Sequence, residues 1–281
     1  MREELTIGLA QWLSEPGAPE KNLAQAIGLV EQLAAAGCDL IALPELWPSG
    51  YDTRTLSRDA AEAAEPFDGP RTKLLAESAR ELGVWLAAGS VPELDGDRVF
   101  NTSLLFSRDG ELVGTHRKVH LYGDAERNGF VAGDRLTTVE TDELGTVGLC
   151  VCFDGDFPEV GRSMAKRGAR LVISPAAYPA ADSAWWDRLY PATALLNGQW
   201  WVLTGQCGTN GDLTLLGGSK VVSPLGETCA EAPRASAGET PDTATLVVRI
   251  QLKDEIEKAQ DELQEMHATR RPEVYDTEGT R

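Results

Sequence analysis

Short apolar segments alternate along this chain with segments of helical periodicity, and this order restricts the fold more than any other feature. Residues 6–10 are apolar, residues 22–36 carry apolar side chains at helix spacing, and residues 39–43 form the next apolar run. The same kinds of segment return later, with helical patterns over 70–83, 158–167, 183–197 and 253–265 and apolar runs over 84–90, 102–107, 146–151, 170–174, 200–205 and 243–250. Strands that alternate with helices predict an α/β protein.

The composition fits one ordinary globular domain. The chain has 281 residues, of which 42% are hydrophobic and 25% are charged. No internal repeat and no low-complexity linker divides it. We therefore expect residues 1–281 to form a single domain. The polar segment 266–281 is expected to be a C-terminal tail that packs on a partner subunit.

Charge and cysteine content restrict partners and compartment. A formal net charge of −18 and a pI near 4.6 disfavour nucleic acid and anionic membranes, because both would repel the chain. No apolar run approaches the roughly 18 residues of a membrane span, and the amino terminus lacks a signal-peptide pattern. Five cysteines form an odd, sparse set that we expect to be reduced. These features predict a cytoplasmic protein.

Cys152 is the candidate nucleophile. It ends an apolar run and a helical pattern begins a few residues later, at Pro158. The N–H groups at such a helix start would lower the pKa of the thiol and could form an oxyanion hole. Cys150 is expected on the same strand face, packed beneath Cys152. The other cysteines are expected to be ordinary packed residues: Cys38, Cys207 and Cys229.

A thiol nucleophile needs a base, and the residues alone leave two kinds of candidate. One is histidine, present as His116, His120 and His267. The other is Glu45, which closes an apolar run and would point into the crevice at the end of a strand. Lys118, which follows a hairpin predicted at Asp109-Gly110, could stabilise a developing oxyanion.

These candidates occur in motifs that resemble the nitrilase, or carbon–nitrogen hydrolase, superfamily. The motifs are Pro44-Glu45, Arg117-Lys118-x-His120-Leu121 and Cys152-x-Asp154-x-x-Phe157-Pro158-Glu159, in that order. The resemblance extends to Phe100–Ser103, Gly217–Ser219 with Pro224–Gly226, Leu121–Arg127 and Arg271–Tyr275. The last two motifs are most similar to the branch of small amidases that includes 5-aminopentanamidase-like enzymes.

The resemblance implies a fold and a set of roles. The fold is a four-layer α-β-β-α sandwich, usually paired into a homodimer or higher homo-oligomer, without metal or organic cofactor. By the same resemblance Glu45 is the general base, Cys152 forms a thioester, and Lys118 stabilises the tetrahedral intermediate. Glu126 orients the lysine or assists proton transfer.

The function expected from these roles is hydrolysis of a small linear amide to a carboxylic acid and ammonia or an amine. Tyr51, Phe153 and Tyr178 are the expected substrate-binding residues, and the tryptophans Trp185, Trp186, Trp200 and Trp201 could also shape a pocket. Three acidic residues near the predicted site suggest a substrate with a cationic end: Asp124, Asp154 and Asp156.

Other functions stay open at this stage. Nitrile and N-carbamoyl hydrolysis belong to the same superfamily, although no arginine pair that would bind a carbamoyl-amino-acid carboxylate follows Cys152. A metal-binding protein built on Cys150, Cys152, His116 and His120 lacks the usual zinc spacing. A non-catalytic binding module is a further alternative. One departure from the superfamily is an absent arginine and glutamate in the segment 192–197, which puts local packing or a subunit contact in doubt.

Overall fold

The structure, a computed structural model, describes residues 1–236, 238 and 240–275. Within these residues, two six-stranded sheets carry most of the fold. The first sheet has the order β14-β1-β2-β3-β4-β5, formed by Ala244–Ile250, Leu5–Gln11, Leu40–Ala42, Trp85–Asp95, Arg98–Phe106 and Leu112–Arg117. The second has the order β13-β12-β9-β8-β7-β6, formed by Thr228–Glu231, Lys220–Val222, Trp200–Gly205, Leu171–Ala176, Gly145–Leu149 and Thr137–Thr141. A separate hairpin pairs β10 (Cys207–Asn210) with β11 (Leu213–Leu216).

The two sheets pack face to face through a shared apolar core. Leu9 and Leu105 come from the first sheet, and Leu149, Ile173 and Val202 from the second; all five are buried in one cluster. Apolar residues at alternate strand positions bury one face of each sheet against the other, which removes that surface from water.

Helices cover the outer face of each sheet. On the first sheet lie α1 (Pro19–Ala35) and α3 (Pro70–Leu82), whose apolar residues join a second core cluster with β2 and β3. On the second sheet lie α5 (Pro158–Lys166) and α6 (Ser183–Asn197). The predicted four-layer α-β-β-α sandwich is confirmed.

Local signals account for several element boundaries. Proline opens α3 and α5 at their first turn, where its missing N–H costs no hydrogen bond. Gly83 ends α3 in a left-handed conformation with φ +64°, which a side chain would disfavour. The hairpin predicted at Asp109-Gly110 joins β4 to β5.

The remaining helices are α2 (Leu56–Ala63), α4 (Gly123–Gly129) and α7 (Leu252–Ala268). The sequence pattern missed the first two, because each is at most eight residues long and too short for a clear apolar period. In the predicted tail, His267 of α7 contacts Arg162 of α5 in the same chain at 2.9 Å. Residues 276–281 of that tail lie outside the described residues. Across the described part of the chain, no helix combines the length and apolarity that a membrane crossing requires.

The topology brings strand ends from both sheets to one place. Strands β1, β2 and β3 run parallel, as do β7, β8 and β9. The carboxyl ends of parallel strands meet at one edge of a sheet, where ligands commonly bind in α/β proteins. Here the segments that follow β2, β5, β7 and β8 come together and carry the candidate site.

Candidate active site

Glu45 lies in the segment after β2, and both sheets hold it. Its Oε1 accepts hydrogen bonds from Asn101 Nδ2 and from Lys118 Nζ, both at 2.8 Å. Its Oε2 accepts one from the Ala177 N–H at 2.7 Å, just beyond the end of β8. The Gln206 side chain donates to the backbone carbonyl of Glu45 at 2.8 Å. Burial raises the pKa of the Glu45 carboxyl, and the Lys118 charge opposes that rise.

Lys118 follows β5 and is buried between two carboxylates. Its Nζ lies 2.8 Å from Glu45 Oε1 and 2.8 Å from Glu126 Oε1. Glu126 is carried by α4, and it also accepts hydrogen bonds from the Tyr51 hydroxyl at 2.7 Å and the Tyr122 N–H at 2.9 Å. Burial alone would lower the pKa of Lys118, but Glu126 and Glu45 raise it well above its usual value. The lysine therefore stays charged.

Cys152 begins a short 3-10 helix, Cys152–Asp156, with a left-handed backbone φ of +47°. Strand β7 ends three residues earlier at Leu149, so Cys150 and Cys152 do not share a strand face as predicted. The prediction of a lowered thiol pKa is also wrong. Burial, and then the charge of Glu45, raise the pKa of Cys152 well above its usual value, while Lys118 lowers it. Use of this thiol as a nucleophile would therefore require activation by a nearby base rather than by a helix end.

The histidines of the central motif face a different carboxylate, Asp154. His116 Nε2 lies 3.0 Å from Asp154 Oδ2, and His120 Nδ1 lies 2.8 Å from Asp154 Oδ1. Burial would raise the pKa of Asp154, but hydrogen bonds from His116 and His120 hold it well below its usual range. The third histidine, His267, lies on α7 beside Arg162. The geometry thus pairs Glu45, and none of the histidines, with Lys118.

Beside Cys152 lies a cavity of about 410 Å³. Its aromatic walls contain all three predicted substrate-binding residues, Tyr51, Phe153 and Tyr178, together with Tyr122, Phe157 and Trp185. The other tryptophans named in the sequence, Trp186, Trp200 and Trp201, are fully buried in the core. Cys152 itself contributes to the wall, so a bound molecule would contact the thiol directly.

Two carboxylates line the same cavity. Asp156 accepts hydrogen bonds from the Tyr178 hydroxyl at 2.9 Å and the Tyr190 hydroxyl at 3.3 Å, and burial raises its pKa to about 6. Asp182 accepts one from the Tyr122 hydroxyl at 3.2 Å. None of the described residues in the lining is lysine, arginine or histidine.

The three acidic residues predicted to attract a cation have different places. Only Asp156 lines the cavity. Asp154 is fully buried and accepts hydrogen bonds from several donors, and Asp124 is 93% exposed and pairs with Arg127. The prediction is therefore wrong for Asp154 and Asp124.

Several residues of the site were missed by sequence reasoning. Asn101 lies in the quoted Phe100–Ser103 motif, which could have marked it, but Ala177 contributes only a backbone N–H that any residue would supply. Asp182 lies at the start of α6, outside every motif that the sequence showed.

The structure also bears on the alternative metal site and on the divergent segment 192–197. Among the described residues, no three histidine, cysteine, aspartate or glutamate side chains are grouped to hold a metal ion. The segment 192–197, which lacks the superfamily's arginine and glutamate, continues α6 without interruption. There Asn197 donates to the Thr193 carbonyl at 2.8 Å, one turn earlier in the same helix.

Known proteins resemble this chain in sequence. The sequence model of the carbon–nitrogen hydrolase family matches residues 6–260. A chloroplastic omega-amidase of Arabidopsis thaliana is 34% identical over 83% of this chain and 66% of its own length. An omega-amidase of Xenopus tropicalis is 34% identical over 80% of this chain and 83% of its own length.

Solved structures share the fold over nearly the whole chain. Nit3 of Saccharomyces cerevisiae, a member of branch 10 of the nitrilase superfamily, superposes with a TM-score of 0.80 at 28% identity, over 94% of this chain and 95% of its own. An amidase from Nesterenkonia sp. has a TM-score of 0.78 at 29% identity, over 95% and 97% of the two chains. In a variant of the amidase from Nesterenkonia sp. AN1, the acetamide moiety of fluoroacetamide is covalently attached to the active-site cysteine. This chain therefore belongs to the carbon–nitrogen hydrolase family, and is a hydrolase of carbon–nitrogen bonds other than peptide bonds.

Proposed function

We propose that this chain hydrolyses small linear amides to a carboxylic acid and ammonia through a thioester at Cys152. The observation that carries the proposal is the buried Lys118 ammonium between Glu45 and Glu126, close enough to Cys152 that Glu45 and Lys118 both shift the pKa of its thiol. An amide is a poor electrophile with a poor leaving group, so it requires a nucleophile, a proton donor and a positive group together.

In the first half of the reaction, Glu45 takes the proton of the Cys152 thiol as sulfur attacks the amide carbon. The carbonyl electron pair moves onto oxygen, and the Lys118 ammonium stabilises the resulting oxyanion. Glu45 then gives the proton to the amide nitrogen, and the carbon–nitrogen bond breaks. Ammonia departs, and the acyl group remains on Cys152 as a thioester. A raised pKa suits Glu45 for this exchange, because it makes the carboxylate a stronger base than an ordinary glutamate.

In the second half, water replaces ammonia. Glu45 removes a proton from the water as the water oxygen attacks the thioester carbon. Lys118 again faces the oxyanion that forms. The carbon–sulfur bond breaks, Glu45 returns the proton to the Cys152 thiolate, and the acid leaves. Glu126 has a supporting role, because it holds the second side of the Lys118 ammonium and is held in turn by Tyr51.

Nitrile and N-carbamoyl hydrolysis are the second candidates. A carbamoyl amino acid would bring a carboxylate into the cavity, where the described lining offers Asp156 and Asp182 and no basic side chain. The omega-amidase and amidase names of the relatives also favour an amide.

A cationic end on the substrate is supported by the composition of the cavity. Asp156 and Asp182 supply negative charge, and Tyr178 and Trp185 supply aromatic faces that attract ammonium groups. The carboxylates are held by tyrosine hydroxyls, which fixes their positions before a ligand binds. We propose that an ω-amino amide places its amide at Cys152 and its ammonium near Asp156.

The domain, assembly and compartment follow as proposals. Residues 1–281 would form one domain, and the five free cysteines support a reducing cytoplasm, which cell fractionation would check.

A homodimer is supported by the outer face of α6, where apolar side chains recur at helical spacing: Trp185, Leu189, Ala192, Leu195 and Leu196. Trp185 and Leu196 are 59% and 49% exposed, and a second copy would cover them.

Cys152→Ala is expected to lower amide turnover by at least about 10³-fold, because no other cysteine lines the described cavity. The rate of ammonia release from butyramide measures this turnover. The matched control is Cys229→Ala, which removes an exposed cysteine and should leave turnover unchanged. Equal activity of the Cys152→Ala variant and the wild type would rule out the proposed nucleophile.

Glu45→Gln is expected to reduce kcat nearly as severely as loss of the thiol, because glutamine cannot accept the proton. His120→Ala should keep at least about a tenth of wild-type kcat, since its ring contacts Asp154 rather than the thiol. Steady-state rates with circular dichroism as the folding check separate the two. A larger loss of kcat in His120→Ala than in Glu45→Gln would indicate a cysteine–histidine pair.

The pH dependence of KM tests the cationic end. The folded pKa of Asp156 is about 6, raised by burial, so its negative charge is present above pH 6 and lost as the pH falls through that value. KM for 5-aminopentanamide should therefore rise about tenfold from pH 7.5 to pH 5, whereas KM for its neutral isostere hexanamide should not. Asp156→Asn should raise KM for the amino amide at both pH values and abolish its pH dependence. Equal KM values for the two amides at pH 7.5 would refute this part of the proposal.

Leu196→Glu should dissociate the proposed homodimer, because it places charge in the apolar face of α6. Sedimentation velocity should give a dimer for the wild type and a monomer for the variant. Val247→Glu, at an exposed apolar position on β14, is the control and should remain dimeric. A monomeric wild type would contradict the assembly.

A further inference from the structure

The buried carboxylate of Asp154 accepts an unusual number of hydrogen bonds. Oδ1 accepts from the N–H groups of Val119 and His120, at 3.1 and 2.8 Å, and from His120 Nδ1 at 2.8 Å. Oδ2 accepts from the Val151 N–H at 3.1 Å and from His116 Nε2 at 3.0 Å. Five donors thus converge on one side chain that has no contact with water.

These donors belong to the two chain segments that carry the reacting groups. Val119 and His120 directly follow Lys118, at the end of β5 in the first sheet. Val151 directly precedes Cys152, at the end of β7 in the second sheet. Asp154 therefore joins the two sheets at the point where a displacement would change the position of the ammonium relative to the thiol.

Asp154 also closes the turn that presents Cys152. The Asp154 N–H donates to the Val151 carbonyl at 3.0 Å, while the Val151 N–H donates to the Asp154 side chain. Between them Cys152 has a φ of +47°, a conformation that is strained for a residue with a side chain. Such a conformation persists only where the surroundings hold it. The two hydrogen bonds supply that restraint from both ends of the turn.

We propose that Asp154 is a positioning residue, which fixes Lys118 and Cys152 relative to one another through the backbone on either side of each. His116 and His120 support it by keeping the carboxylate in place. The His120 ring also stacks on Phe157, with centroids 3.8 Å apart. The catalytic roles of Lys118 and Cys152 in this inference rest on the proposed function.

Asparagine is the informative substitution at this position, because it has almost the same shape as aspartate. Its single amide oxygen can replace only one of the two accepting oxygens. Its NH₂ group must then face the Val151 N–H on one side or the Val119 and His120 N–H groups on the other. One of the two segments loses its restraint in either orientation.

For Asp154→Asn we expect kcat for butyramide to fall by about 10- to 100-fold with KM within about twofold of wild type, because misplacement affects the chemical step. The rate of Cys152 alkylation by iodoacetamide, followed by peptide mass spectrometry, should fall as well. The control is Asp39→Asn. Asp39 also joins distant segments, through Thr6 N–H at 3.0 Å and Arg108, but lies away from the site. This control should lower the melting temperature without changing kcat per folded molecule.

The proposal is overturned if folded Asp154→Asn protein keeps wild-type kcat and alkylation rate, or if only KM changes. If that variant does not fold, His120→Phe and His120→Asn replace it. Phenylalanine keeps the ring against Phe157 but removes one donor, and should lower kcat about threefold. Asparagine restores a donor and should recover most of that loss, whereas equal kcat in both variants and wild type would overturn the proposal. A wild type without amide turnover would refute the proposed function, and the alkylation rates would still decide the role of Asp154.

Discussion

The contact of one buried ammonium with two buried carboxylates is the interaction on which the rest of the site depends. Lys118, Glu45 and Glu126 come from three separate segments, and none of them could be buried as a charged group alone. Removal of one partner from such a group costs about 3–5 kcal/mol, because the others are left without compensation. In the proposed mechanism, the charge that binds the segments together also faces the reacting carbonyl, so stability and chemistry share one set of contacts.

In the sandwich, strands from both sheets end at one edge, and this brings together the segments that carry and hold these charged side chains. Glu45 extends from the first sheet, yet the Ala177 N–H and the Gln206 side chain that hold it come from the second. Asp154 makes the reciprocal connection, from the second sheet to the segment after Lys118. The apolar layer between the sheets therefore sets the distance between Glu45 and Cys152, and the polar contacts at its edge set their orientation.

The sequence predicted the long, strongly patterned parts of the fold well, and the local electrostatics poorly. The bounds of α6 (Ser183–Asn197) and β9 (Trp200–Gly205) agree with the patterns, because apolar period and length both specify them. The thiol pKa was predicted in the wrong direction, since a pattern of residues shows a nearby helix start but not the burial of Cys152. Asp154 and Asp156 are two residues apart, yet one is enclosed by donors and the other lines the cavity. That difference depends on tertiary contacts with His116 and Tyr178, which lie far away in the sequence.

The most direct test of this account is detection of the acyl-enzyme. Wild-type protein mixed with butyramide, quenched with acid during turnover and digested for peptide mass spectrometry should carry one butyryl group in thioester linkage, on the peptide that contains Cys150 and Cys152. Fragmentation should place it on Cys152, and the Cys152→Ala variant should carry none. Modification of Cys150 instead, or amide hydrolysis by the wild type without any trapped adduct at Cys152, would contradict a thioester at this residue.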